Sequence, residues 1–147
     1  MDVTKIITQY LREAKVMQLA TVNGGQPWIC TVNYAIDDAG NLYWLSLRTR
    51  RHSLELRGSA AAAVAIVKDP AVKQGLQLEG TATEVDLNDL ERVHALYSER
   101  YSDKPERLEE ARSTKHSAQT YYVFKPSRIQ LHDEVNFPKN PQREITL

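Results

Sequence analysis

The sequence has 147 residues, with nineteen basic and nineteen acidic side chains and a formal net charge of zero. A balanced charge argues against a general nucleic-acid or acidic-membrane binder, since both partners call for a basic excess. The single cysteine, Cys30, excludes an internal disulfide framework and any CxxC metal or redox site. Hydrophobic residues make up 41% and charged ones 26%, as in an ordinary globular domain with a core of its own. No apolar run approaches the roughly 20 residues that span a bilayer, and the amino terminus is amphipathic and charged rather than signal-like. The expectation is one domain over residues 1–147, soluble and cytoplasmic.

In chain order, residues 2–14 place Val3, Ile6, Ile7, Tyr10, Leu11 and Ala14 at helical spacing, an amphipathic helix lying on something else. Residues 16–22 are apolar and β-branched enough for a strand, and Asn23-Gly24-Gly25 turns the chain. Residues 28–36 alternate, with Trp28, Cys30, Val32, Tyr34 and Ile36 on one face and Ile29, Thr31, Asn33 and Ala35 on the other. A second turn at 37–41 leads to a strand from Leu42, so the first three strands form an antiparallel meander. Residues 60–67, small or β-branched, read as a buried strand broken by Asp69-Pro70, and 77–85 alternate again. Gly80 inside that strand signals a bend or a close neighbour. A helix follows over 87–101, with Asp86 as N-cap and Leu90, Val93, Tyr97 and Tyr101 as its stripe. A short helix is expected at 106–112, then two strands, 120–124 and 128–132, hinged at Pro126-Ser127, and an extended tail. Six or seven antiparallel strands manage their edges by closing, so the expected fold is a mainly β, antiparallel barrel with flanking helices.

The stretch 42–57 carries the most chemistry. An apolar strand delivers Arg48, Thr49, Arg50, Arg51 and His52 to the start of a short helix that Gly58 would end. Arginine forks and the unpaired N–H groups of a helix start suit a phosphate, although an isolated basic loop is more often plain solvated surface. Metal binding has little support: His52, His94, His116 and His132 stand apart, with no i, i+4 or H-x-H pair. Walker, G-x-S-x-G and G-x-G-x-x-G patterns are absent. Cys30 lies mid-strand, where a small buried thiol is expected rather than a nucleophile.

The ordered set Leu19-Ala20-Thr21-Val22, Tyr43-Trp44-Leu45-Ser46, Arg50-Arg51-His52, Ala62-Ala63-Val64-Ala65 and Leu78-Glu79-Gly80-Thr81-Ala82 resembles the FMN-binding split-barrel family related to pyridoxamine 5′-phosphate oxidase. The resemblance covers nearly the whole chain and is closest to the short members of that family. It implies a split barrel that binds FMN, with Ser46, Arg50, Arg51 and His52 at the ribityl phosphate. His52 stands where many members carry lysine. Ile29, Cys30, Thr31, Val32 and Asn33 would be ring-side residues, and Gln77 and Glu79 would reach the cofactor across a subunit interface; alternation alone makes those two an exposed polar face equally well. The resemblance further implies a homodimer with flavin at the subunit interface, acting as a flavin-dependent oxidoreductase on a small molecule. It names no catalytic acid or base. The rival readings are a barrel that holds flavin, the deazaflavin F420 or haem without turnover, and an interaction domain with no cofactor.

Overall fold

A computed structural model describes residues 2–147. The chain begins with helix α1 (Val3–Glu13), whose first turn is capped by the Asp2 carboxylate accepting from the Thr4 and Lys5 amides. Strands β1 (Val16–Asn23) and β2 (Gln26–Asn33) form a hairpin across the Gly24-Gly25 turn, where both glycines hold a positive φ. The alternating run expected over 28–36 is interrupted at Tyr34. Its side chain is fully buried and its hydroxyl donates to the Leu11 carbonyl at 2.6 Å, while its amide bonds Lys15. A two-residue β3 (Ala35–Ile36) therefore leaves β2 and pairs instead with β4 (Leu42–Leu47).

Helix α2 (Arg51–Gly58) follows β4, and it keeps Gly58 as its last residue, with Ser59 at the cap. Then come β5 (Ala61–Asp69), β6 (Gln74–Glu84), a short 3-10 turn at 87–89, α3 (Leu90–Tyr101) and α4 (Glu106–Arg112). The two strands expected at the end are one continuous β7 (Gln119–Asp133). Pro126 and Ser127 are absorbed by a register shift against β6, between Glu79 and Gly80, rather than by a break. Gly80 is the residue that lets the bulge close: a Cβ there would sit 2.2 Å from the Lys125 carbonyl oxygen. The tail contributes β8 (Gln142–Thr146), so eight strands replace the six or seven expected.

The strand order is β2-β1-β5-β6-β7-β4-β3, all antiparallel. β7 pairs along one edge with β6; its other edge pairs first with β4 and then, beyond the bulge, with β8. The sheet curls until β2 and β4 approach, and among the described residues no ladder joins them. That seam is the split in the barrel. Inside lie Met17, Leu19, Trp44, Val64, Ile66, Leu76, Leu78, Tyr122, Phe124 and Leu131, and α1 closes one end with Ile7, Tyr10 and Leu11. A second cluster packs α3 and α4 against the outside of β4 and β7 through Tyr43, Val93, Tyr97, Ala111 and Tyr121. Among the described residues no helix is long and apolar enough to cross a membrane.

Candidate functional site

β4 alternates strictly. Leu42, Trp44 and Ser46 point into the barrel, and Tyr43 and Leu45 point toward α3. At its end the sequence must leave the sheet, and three arginines there meet three different environments. Arg48 turns inward and is 3% exposed. Its guanidinium donates to Glu84 at 2.8 Å and to the carbonyls of Lys115 and Ala111 at 2.9 and 3.0 Å, tying the chain after α4 to the barrel. Arg51, in the first turn of α2, lies over the Trp28 ring at 4.0 Å and pairs with Glu55 at 3.0 Å. Glu55 is itself buried and accepts from Thr21 Oγ1 at 2.7 Å, so Arg51 is spent on clipping α2 to the β1–β2 hairpin. Arg50 is exposed and its guanidinium has no ion pair or hydrogen bond among the described residues. It occupies the N-cap of α2, where no side chain caps the first turn, so the amides of that turn are also open.

Arg50 stands over a cleft of about 330 Å³ at the seam of the barrel. Thr31, Val32 and Asn33 of β2 form one wall and Leu45, Ser46 and Leu47 of β4 the other; His52, Tyr97 and Gln119 complete it. Because the seam lacks a ladder, backbone groups on both walls are available to a ligand. Ser46 Oγ and His52 Nε2 lie 2.8 Å apart beneath Arg50, and both residues are buried. Burial, then the Arg50 charge, pull the His52 imidazole below its usual range, with Glu55 opposing weakly, so the ring is neutral at pH 7. Gln119 Oε1 is buried without a hydrogen-bond partner among the described residues, an acceptor waiting for a donor. Burial pushes the Cys30 thiol up to about 11, which makes it inert at neutral pH.

Of the residues singled out in the sequence, the cleft therefore gathers Thr31, Val32, Asn33, Ser46, Arg50 and His52. Cys30 faces the barrel core, and Arg51 is committed to Trp28 and Glu55. Ile29 is 60% exposed on the outer face of the sheet, where register puts it in one row with Ala20, Ala63 and Glu79. Gln77 lies one row further on, beside Ala65 and Gln130, and both Gln77 and Glu79 line a separate shallow hollow with Arg128 and Glu144. Sequence reasoning missed Leu45, Leu47, Tyr97 and Gln119. Tyr97 read only as part of a helical stripe, and Gln119 fell just outside the expected last strands. Among the described residues no cluster of three His, Cys, Asp or Glu side chains is placed to hold a metal ion.

An eight-stranded antiparallel barrel, open along one seam and flanked by helices, is the split-barrel fold. Residues 3–133 match the family model for pyridoxamine 5′-phosphate oxidase, and the chain belongs to that family. Solved structures agree on the fold. One is a protein from Clostridium acetobutylicum related to general stress protein 26, of the pyridoxinephosphate oxidase family, 15% identical over 100% of this chain and 97% of its own, with a TM-score of 0.67. Another is the haem storage protein HutZ of Vibrio cholerae, 20% identical over 86% of this chain and 91% of its own, TM-score 0.66. A third is an FAD-binding protein of Mesorhizobium loti, 18% identical over 87% and 90%, TM-score 0.63. No functionally curated protein matches the chain.

Proposed function

We propose that the chain binds FMN in the seam cleft and works as a homodimeric, flavin-dependent oxidoreductase on a small molecule. The observation that carries this reading is the unpaired Arg50 guanidinium above an uncapped helix start, beside Ser46 and His52. Those groups would hold the phosphate. Thr31, Val32, Asn33 and the free edge of β4 would lie along the ring, and Gln119 Oε1 suits an N–H donor such as the imide edge of a flavin. The flavin supplies hydride or electron transfer, and the chain supplies position, polar contacts and a wall against water. Ile29, Val67 and the alanines of β1 and β5 make an apolar outer face next to Gln77 and Glu79, which suits a second copy of the chain.

The structural neighbour HutZ, described as a haem storage protein, suggests a second reading, and one observation favours it: His52 is a neutral imidazole at the cleft. Its Nε2, however, is already engaged by Ser46. An absorbance scan of the purified protein separates the two, with flavin bands at about 370 and about 450 nm or a haem band at about 400 nm expected from the chromophores' own chemistry. Replacing Arg50 with alanine should weaken FMN binding by roughly ten- to a hundredfold, the loss of about 1.5–3 kcal/mol carried by a charge-assisted contact. Unchanged FMN affinity in that variant would refute the phosphate placement.

A further inference from the structure

His52 is 7% exposed and hydrogen-bonded to Ser46 in the cleft wall. A lysine would carry its charge at every physiological pH, whereas an imidazole gains or loses it near neutrality. Resting on the flavin reading above, we propose that His52 couples the binding of a phosphate monoester at Ser46 and Arg50 to the uptake of one proton, so that the site selects phosphorylated flavin and loosens it as pH rises.

The atoms explain how. In one neutral tautomer His52 Nε2 accepts the Ser46 hydroxyl proton, which turns that proton away from the cleft. Once the ring is protonated, Nε2 must donate, Ser46 Oγ must accept, and the hydroxyl proton is free to swing toward a phosphate oxygen. Protonation thus adds a positive charge and reverses a donor in the same step. No bond other than these hydrogen bonds changes, and the proton comes from solvent.

The charges around the ring set the direction. Arg50, before α2, opposes the imidazolium, and burial opposes it more; Glu55 on α2 favours it but is shared with Arg51 and Thr21. From β2 the ring's cleft is faced by Thr31, Val32 and Asn33, from β7 by Gln119, and from α3 by the Tyr97 phenol, whose pKa burial raises to about 12. None of these brings a charge near neutral pH. The free site therefore stays neutral at His52, and a phosphate dianion is what tips it to the cation. Linkage then requires FMN affinity to fall as pH rises from the free to the bound His52 pKa, by at most roughly tenfold per pH unit, and to level off above the bound value.

The test is fluorescence titration of the full chain with FMN and with riboflavin, which lacks the phosphate, between pH 6.5 and 8.5, where the FMN phosphate is mostly dianionic with its second pKa near about 6. The wild-type FMN dissociation constant should rise at least fivefold across this range while that for riboflavin stays flat. Calorimetry in two buffers of different ionisation enthalpy should report fractional proton uptake with FMN only. His52→Lys should bind FMN with a flat profile and recover affinity at pH 8.5; His52→Gln, which keeps a partner for Ser46, should bind weakly and flatly. A flat wild-type FMN profile, or an unchanged slope in either variant, overturns the coupling and leaves the flavin reading standing. Failure of both flavins to bind at any pH overturns both.

Discussion

Arg48, Arg50 and Arg51 look alike in sequence, and three environments divide them. Arg48 follows the inward-outward alternation of β4 to a buried position, where two carbonyls and Glu84 satisfy it. Arg51 finds Trp28 and Glu55, which are 23 residues before it and four after it, and only the hairpin's placement brings the first into reach. The cationic corner was legible from residues 42–57; which cation stays free was not, because that depends on partners distant in the chain. Gly80 was legible in the other sense. A glycine inside an alternating strand announces close approach, and the Lys125 carbonyl oxygen, which a Cβ on residue 80 would meet at 2.2 Å, is that approach. Since the obstacle is backbone, it cannot swing aside. Gly80→Ala should cost about 3 kcal/mol and lower the melting temperature by roughly 6–12 °C, read by calorimetry. A change below about 1 kcal/mol would mean that the bulge opposite Pro126 yields easily.

Among the elements, α1, β1, α3 and α4 followed from periodicity, because each answers mainly to its own sequence. The expected Asp86 cap did not, since α3 starts only at Leu90, after the turn at 87–89, and neither Asp86 nor Asp89 caps it with a side-chain hydrogen bond. The misreadings have a common cause. Tyr34 broke an alternating run because its side chain found the Leu11 carbonyl, and Pro126 failed to break one because a bulge at Ser127 of β7 lets the pairing with β6 resume. Tertiary partners decided both. The same holds where α1, β6 and β7 meet. Asp133 is fully buried and accepts from Tyr10 at 2.6 Å, from Gln74 at 3.0 Å and from Asn136. Burial alone would raise its carboxyl, but the backbone amide of Asn136, the Tyr10 hydroxyl and the Asn136 and Gln74 side chains outweigh it and hold it near about 2. A folded-state value below the unfolded one means the stabilisation is complete above pH 4 and disappears as pH falls from about 4 to about 2, an effect on the order of 2 kcal/mol. Urea midpoints should therefore show wild type more stable than Asp133→Asn at pH 6, with the gap narrowing toward pH 2. A constant gap would assign the difference to packing alone.

For the whole molecule, closure into a barrel was readable from the number of short antiparallel strands, and the family from the ordered set of motifs. The split followed from the resemblance, but which strands flank it did not, since that is set by which strands do not pair. The outer face of β1, β2 and β5 carries Ile29 and Val67, at 60% and 61% exposure, with exposed Ala61 and Ala63 on the same face of β5. If this face seats a second copy, sedimentation should give about twice 16.7 kDa, and Ala63→Glu, directly beside Glu79, should give the monomer mass together with weaker flavin binding. A wild-type monomer that holds flavin at tens of micromolar would dismiss the interface. The path of β7 has a consequence for how the protein comes into being. β4 finds its long partner only in residues 119–124, some seventy positions later, and that same strand also completes β6 and receives β8. A nascent chain still short of Gln119 can therefore hold no finished barrel: Trp44 lacks the Tyr122 ring stacked 5.5 Å from it, and one edge of β4 lies bare. Folding must wait until residues 119–124 have been made, and during that wait the half-built sheet is a client for whatever shields exposed strand edges at the ribosome.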